Sequence, residues 1–232
     1  MKTIGLIGGM SWQSTIPYYR IINETVQARL GGLHSARLLL HSVDFQPLED
    51  LQRRGDWNAA GEQMAQAARS LAAGGADFLV LCTNTMHRVA SAIDAAVALP
   101  LLHIADATGD EIDGAGFSRV GLLGTRFTME QTFYRERLQR RRGIDVVVPA
   151  AADREIVHRV IYEELCVGQL RPSSRAEYRR IIGGLVAGGA QAVVLGCTEI
   201  SLLITAGDAA VPLFDTTRIH ARAAAERALA DS

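Results

Sequence analysis

The chain has 232 residues, a formal net charge of −1 and 48% hydrophobic residues. That length carries one large domain or two small ones with a sizeable core, and the charge balance favours neither nucleic acid nor an acidic membrane surface. No stretch reaches the roughly 18 apolar residues of a membrane span. The chain enters a strand directly at "TIGLIGGM", without the apolar segment and small-residue cleavage site of a signal peptide. Cys82, Cys166 and Cys197 show no C-x-x-C spacing. A reducing, cytoplasmic setting is therefore expected, with cysteines that are buried or reactive.

In chain order, strand-length apolar runs fall at Thr3–Gly8, Arg37–Val43, Phe78–Cys82, Leu101–Ile104, Val120–Gly124, Asp145–Val148, Ala192–Gly196 and Pro212–Phe214. Most are rich in Val, Ile and Leu without polar alternation, as in a parallel sheet covered on both faces. Helical patterns occupy Ile16–Leu30, Ala59–Ala73, Phe133–Arg142, Arg154–Cys166 and Arg175–Ala187, and an Ala-rich helix runs from about residue 217 to 230. This alternation predicts an α/β fold with right-handed crossovers. The run Arg140, Arg141, Arg142 reads as a solvated helix end.

The chain repeats itself. "LAAGGADFLVLCTNT" (71–85) and "LVAGGAQAVVLGCTE" (185–199) share seven of fifteen positions. "IGLIGGM" from Ile4 resembles "VGLLGTR" from Val120, Tyr19-Arg20 matches Tyr134-Arg135, and "LPLL" from Leu99 resembles "VPLF" from Val211. Ala-Gly-Gly-Ala turns recur among α/β proteins, but an ordered set at nearly constant spacing predicts a duplication. Two pseudo-symmetric α/β domains with parallel sheets are expected, the first comprising residues 1–98 plus 211–232 and the second 99–210. The carboxyl ends of matching strands would face one cleft, lined by "GGMS", "CTNT", "GTRF" and "GCTE".

The repeat sets Thr83 opposite Cys197 and Cys82 opposite Gly196. Successive strand residues point to opposite faces, so if Cys197 faces the cleft, Thr83 does too and Cys82 turns into the core. Cys197 precedes a segment, Thr198–Leu203, that reads as a helix start with Thr198 as N-cap. A thiol there either gains thiolate character from the helix dipole or is a small buried residue at a strand-end turn. His87 either orients a group in the site or lies on an ordinary helix face, and His103 reads as a core or strand-end residue. The only lysine, Lys2, precedes the first strand. That is the wrong end for pyridoxal phosphate chemistry, which needs a Schiff-base lysine. No nucleotide-binding or metal-spaced motif occurs. Asp44 follows the first Gly turn by about 35 residues, not the usual ~20 of a dinucleotide-binding fold.

Together, "GLIGGMSWQST", "CTNTMH", "GTRFTM" and "GCTEI" make the chain resemble the aspartate/glutamate racemase family, in its broad-specificity amino-acid racemase branch. The resemblance runs from Ile4 to about Ala221. It implies two pseudo-symmetric α/β domains with the site between them, usually a homodimer, acting on a small-molecule amino acid without a cofactor. One base removes the Cα proton and an acid on the opposite face returns one. By position, Cys197 is the second-half base. Asn84, Thr85 and Thr198 would hold the α-carboxylate and ammonium, and Met10, Gln52 and Thr125 would contact the pocket. Arg53 would meet an acidic side chain or lie on the surface.

One departure stands out. The family's first cysteine, directly before Asn-Thr, is Thr83 here, and Cys82 is one place early. A threonine hydroxyl is not a ready anion at neutral pH. Thr83 would then donate or relay a proton with Cys197 as the competent base, favouring L-substrates. A slip that brings Cys82 into the site, or a shift to other chemistry, stays open. Cys166 stands near the place where some aspartate-selective relatives carry a lysine, which argues against strict aspartate specificity; it reads as a buried helix residue. The alternatives are a cysteine-dependent decarboxylase or racemase of other activated acids, and an amino-acid-binding protein that lost one base.

Overall fold

The computed structural model describes residues 1–230. The chain forms two compact units, Met1–His103 with the chain from His220 onward, and Ile104–Ile219.

In the first unit the elements are β1 (Ile4–Gly8), α1 (Trp12–Leu30), β2 (Leu38–Ser42), α2 (Phe45–Arg54), α3 (Trp57–Ala73), β3 (Phe78–Leu81), a one-turn 3-10 helix (Thr85–Val89), α4 (Ala90–Ala96) and β4 (Leu101–Leu102). The sheet order is β2-β1-β3-β4, all parallel. β1 and β3 are buried at every position, which explains their continuous apolar runs. Two cores flank the sheet. One joins Ile7, Leu79 and Leu81 to the helix faces of Leu51, Met64 and Leu71. The other joins Ile4, Leu6, Phe78 and Val80 to Tyr18 and Ile22 of α1 and to Ala221, Ala224 and Ala228.

The second unit repeats this plan with α5 (Ile104–Gly114), β5 (Arg119–Gly124), α6 (Arg126–Glu130), α7 (Thr132–Arg142), β6 (Asp145–Val147), α8 (Ala151–Glu163), α9 (Pro172–Ala187), β7 (Ala192–Gly196), α10 (Ile200–Leu203) and β8 (Leu213–Asp215); α11 (Thr216–Leu229) follows. Its sheet order is β6-β5-β7-β8, again all parallel. Written relative to each half, both sheets have the order 2-1-3-4. The fold is a duplicated α/β fold.

The unit boundaries fall later than the repeat suggests, at 103/104 and 219/220 rather than 98/99 and 210/211. Leu101 and Leu102 of β4 pair with β3 and so stay with the first sheet. Leu213–Asp215 pair with β7 and stay with the second. Only the later part of α11 returns to the first unit. Several helices also differ from their sequence patterns. α2 begins behind an Asp44 cap whose carboxylate accepts from the Gln46 N–H, and ends at Gly55 in the left-handed region. The predicted helix 154–166 instead starts at Ala151, ends at Glu163, and passes into a 3-10 turn, Leu165–Val167.

Candidate functional site

β1 and β3 are hydrogen-bonded neighbours, with Ile7 opposite Leu81. The segments that leave their carboxyl ends therefore lie side by side. The first is Gly9–Ser11. Gly9 has φ +93°, and a β-carbon there would sit 2.2 Å from the Val43 carbonyl oxygen, so only glycine fits. Its N–H donates to Thr15 Oγ1 at 2.8 Å. A cis peptide bond joins Met10 to Ser11, and Ser11 caps α1 by accepting from the Ser14 N–H. Met10 is buried among Leu51, Leu81 and Met86. Gln52 is buried and donates from Nε2 to Met86 Sδ at 3.1 Å.

The second segment is Cys82–Thr85. The Cys82 N–H donates to the Ile7 carbonyl at 2.9 Å, extending the sheet pairing by one residue. Its side chain then lies wholly inside the core against Ile4, Leu6, Tyr18 and Val80, and burial pushes its thiol far above the ordinary range. Thr83 is half-buried, whereas Asn84 and Thr85 are buried. The first unit thus gathers Met10, Gln52, Thr83, Asn84 and Thr85 at the carboxyl ends of two adjacent strands. Arg53 goes elsewhere. It is exposed and ion-paired to Asp50 and Glu49 of its own helix.

Behind Thr83 lies a set of buried rings. His87 Nδ1 donates to the Thr83 carbonyl at 2.7 Å, the only role open to it opposite an acceptor. The His87 and His103 rings lie 4.4 Å apart, and those of His87 and His220 5.8 Å apart. His220 Nε2 donates to the Leu102 carbonyl at 2.8 Å. Burial lowers its pKa to about 4, so the ring is neutral and its Nδ1 accepts from the Tyr18 hydroxyl at 2.9 Å. Sequence reading missed Tyr18 and His220, and left His87 undecided. Among the described residues no group of three or more His, Cys, Asp or Glu side chains is placed to hold a metal ion.

In the second unit β5 and β7 are neighbours along their full lengths, Gly124 lying opposite Gly196. Thr125 leaves β5 and caps α6, its Oγ1 accepting from the Thr128 N–H at 3.3 Å. A β-carbon at Gly196 would sit 2.9 Å from both the Leu123 carbonyl oxygen and Leu122 Cδ1. The position matching Cys82 therefore has no room for a side chain. Cys197 follows, half-buried. Thr198 is buried and shares a 2.6 Å hydrogen bond with Thr217, while Thr216 Oγ1 donates to the Leu195 carbonyl at 2.9 Å.

One expectation beside Cys197 is corrected. Thr198 does not cap a helix: α10 is one turn, Ile200–Leu203, and its N-cap is Glu199. The thiol pKa is raised well above its ordinary value, by burial first, then by the charge of Glu199 and by Cys166; only the Glu199 backbone N–H pulls it down. A single turn sums too few peptide dipoles to offset burial beside a carboxylate. The Cys197 thiol donates to Glu199 Oε2 at 2.9 Å. Cys166, half-buried on the 3-10 turn after α8, hydrogen-bonds the same carboxylate, and burial pushes its thiol up. Glu199 is the residue that sequence reading passed over, although it closes the quoted "GCTE".

The fold and these loops define a duplicated α/β protein with mirrored sets of strand-end polar groups, one carrying a thiol and the other a hydroxyl. Residues 7–224 match the family model for the Asp/Glu/hydantoin racemases. The chain is 22% identical over 238 residues, 98% of each chain, to a broad specificity amino-acid racemase of Bacillus subtilis strain 168. It is 59% identical to a candidate Asp/Glu racemase from Yersinia pestis, whose crystal structure superposes with a TM-score of 0.93 over 99% of this chain and 100% of that one. It is 34% identical to an aspartate racemase homologue from Pyrococcus horikoshii OT3, TM-score 0.85, over 99% and 100% of the two chains. The chain belongs to the Asp/Glu/hydantoin racemase family; it is a racemase, and so an isomerase.

Proposed function

We propose that the enzyme interconverts the L- and D-forms of an acidic amino acid, aspartate or glutamate, without a cofactor. Cys197 is the base that takes the Cα proton of the L-substrate. Thr83 stands in the place of the second cysteine and supplies the proton on the opposite face. The intermediate is a planar carbanion, which two proton-transfer groups serve from its two sides. Asn84, Thr85 and Thr198, with strand-end backbone N–H groups, bind the α-carboxylate and ammonium. Met10, Gln52 and Thr125 complete the pocket.

The observation that carries this reading is the contrast between Cys82 and Thr83. Cys82 is fully buried among core side chains, whereas Thr83 lies in the polar loop. A hydroxyl cannot match a thiolate as a base, so proton removal from the D-substrate is the slower direction. The absence of any lysine beyond Lys2, which precedes β1 at the amino ends of the strands, supports chemistry without pyridoxal phosphate.

The enzyme works as a homodimer in the reducing cytoplasm. Three free cysteines support that setting. The described residues include no helix long and apolar enough to cross a membrane. Trp12, Ile16 and Tyr19 share one face of α1 and are 62%, 56% and 57% exposed, an apolar stripe suited to self-association. The test is chiral analysis of L-aspartate and L-glutamate incubated with cofactor-free enzyme. Accumulation of the D-enantiomer is expected; none with any amino acid would contradict the proposal.

A further inference from the structure

Proton delivery by Thr83 requires its hydroxyl to point at the substrate Cα. A C–O bond is shorter than a C–S bond, so the hydroxyl reaches less far than the thiol it stands in for, and its placement depends on the backbone. Both peptide groups that flank the Thr83 Cα are tied. The Thr83 N–H donates to the Leu81 carbonyl at 2.8 Å, and the Thr83 carbonyl accepts from His87 Nδ1 at 2.7 Å. Peptide groups are planar, so fixing both sets the two dihedral angles between them and with them the Cα–Cβ direction. The β-branched side chain then has few rotamers left. The second of these ties comes from a side chain that is itself held. His87 is buried in the 3-10 turn Thr85–Val89, and its own N–H donates to the Asn84 carbonyl at 3.1 Å. Its ring packs on His103 and, edge-on, against His220, whose two nitrogens engage the Leu102 carbonyl and the Tyr18 hydroxyl. Three buried rings from separate parts of the chain thus present one N–H to the Thr83 carbonyl.

We propose that His87 is a positioning residue for racemisation: through its hydrogen bond to the Thr83 carbonyl it aims the Thr83 hydroxyl at the substrate Cα. This rests on the reading of Thr83 as the proton donor on the face opposite Cys197. His87 transfers no proton itself, because its Nδ1–H is directed at a carbonyl and not at the hydroxyl. His103 and His220 act at one remove, as walls that keep the imidazole in its plane. Loss of the donor leaves proton removal by Cys197 in place and impairs delivery by Thr83. The carbanion then returns to the L-form more often than it goes on to the D-form.

The test follows L-aspartate and the enzyme in deuterated water through two initial rates, deuterium appearing at Cα of the L-form and appearance of the D-form. The ratio of D-form made to L-form deuterated is taken within one sample, so the amount of folded enzyme cancels. His87→Phe keeps a flat ring without a donor. His87→Asn gives up the ring but places an amide N–H where Nδ1 stands. In His87→Phe the ratio is expected to fall about tenfold or more, since a misplacement of about 1 Å can cost about a hundredfold, and kcat should fall far more than KM rises. His87→Asn should recover most of the ratio. A wild-type ratio in His87→Phe would overturn the proposal. So would an equal fall in both variants, which would make ring packing and not the donor the cause. Thr83→Ala tests the underlying reading separately: a wild-type ratio there overturns the role of Thr83, whereas a fall there with none in His87→Phe overturns the role of His87 alone.

Discussion

Cys82 and Thr83 are consecutive residues with opposite surroundings: the Cys82 thiol is wholly enclosed by the core of the first unit, while Thr83 is half-buried and its carbonyl takes a 2.7 Å hydrogen bond from His87. One residue of register thus separates a structural sulfur from a hydroxyl in the polar loop. Cys82→Ala is expected to cost about 1–2 kcal/mol of stability as a small core cavity and to leave turnover near wild type. Denaturant titration and an activity assay measure the two effects.

Thr83→Cys puts a thiol where the hydroxyl stands. A thiol is far the stronger acid, so the variant gains a group able to deprotonate the D-enantiomer. Turnover from D-aspartate or D-glutamate should rise about tenfold or more relative to turnover from the L-form. The ratio of initial rates from the two enantiomers reports it. An unchanged ratio would mean that position 83 does not address the substrate.

His220 should make the protein acid-sensitive. Its folded pKa, about 4, lies below the ordinary histidine value of 6.5 because the ring is buried. Below pH 6.5 the unfolded chain takes up a proton that the folded one refuses, so stability is full above that pH and falls as pH drops toward 4. The loss over that window is roughly 3 kcal/mol. Urea titrations of wild type and His220→Gln between pH 4.5 and 7.5 should show a slope in the wild type that is much reduced in the variant.

Gly9→Ala should be severe. The added carbon meets the Val43 carbonyl oxygen at 2.2 Å and the residue has φ +93°, so both strain and overlap act. A loss of at least about 2–3 kcal/mol is expected, visible as a lowered Tm, together with loss of activity as Met10 and Ser11 shift.

Trp12→Glu with Ile16→Glu places two charges on the exposed stripe of α1. The pair should convert a dimer to monomers in analytical ultracentrifugation while leaving far-UV circular dichroism unchanged. A sedimentation profile identical to wild type would remove α1 from the proposed interface.

The duplication was legible because buried parallel strands leave a strong trace: "LAAGGADFLVL" and "LVAGGAQAVVL" encode the same helix end, turn and strand. Six of the eight strands, β1, β2, β3, β4, β6 and β7, lie within the runs read from the sequence, and β5 and β8 each extend one residue beyond theirs, at Arg119 and Asp215. Short helices left no such trace. α4 and α6 span 7 and 5 residues, too few for a period of 3.6 to repeat clearly. α2 was announced by Asp44 and Gly55, signals that went unused. The Cys197 environment failed for a different reason. A helix-capping reading of Thr198 is sound locally, but the helix that follows is a single turn and the neighbouring charge is Glu199. The ring cluster was hidden by distance. His87, His103 and His220 come from separate parts of the chain, and only the return of α11 to the first unit brings His220 against Tyr18.

The most direct measurement is Cα proton exchange in deuterated water, with L- and D-aspartate and L- and D-glutamate, for the wild type, Cys197→Ala, Thr83→Ala and Cys82→Ala. The account predicts exchange from the L-forms that disappears in Cys197→Ala, falls strongly in Thr83→Ala and persists in Cys82→Ala. Exchange that survives in Cys197→Ala, or that depends on Cys82 rather than Thr83, would contradict it.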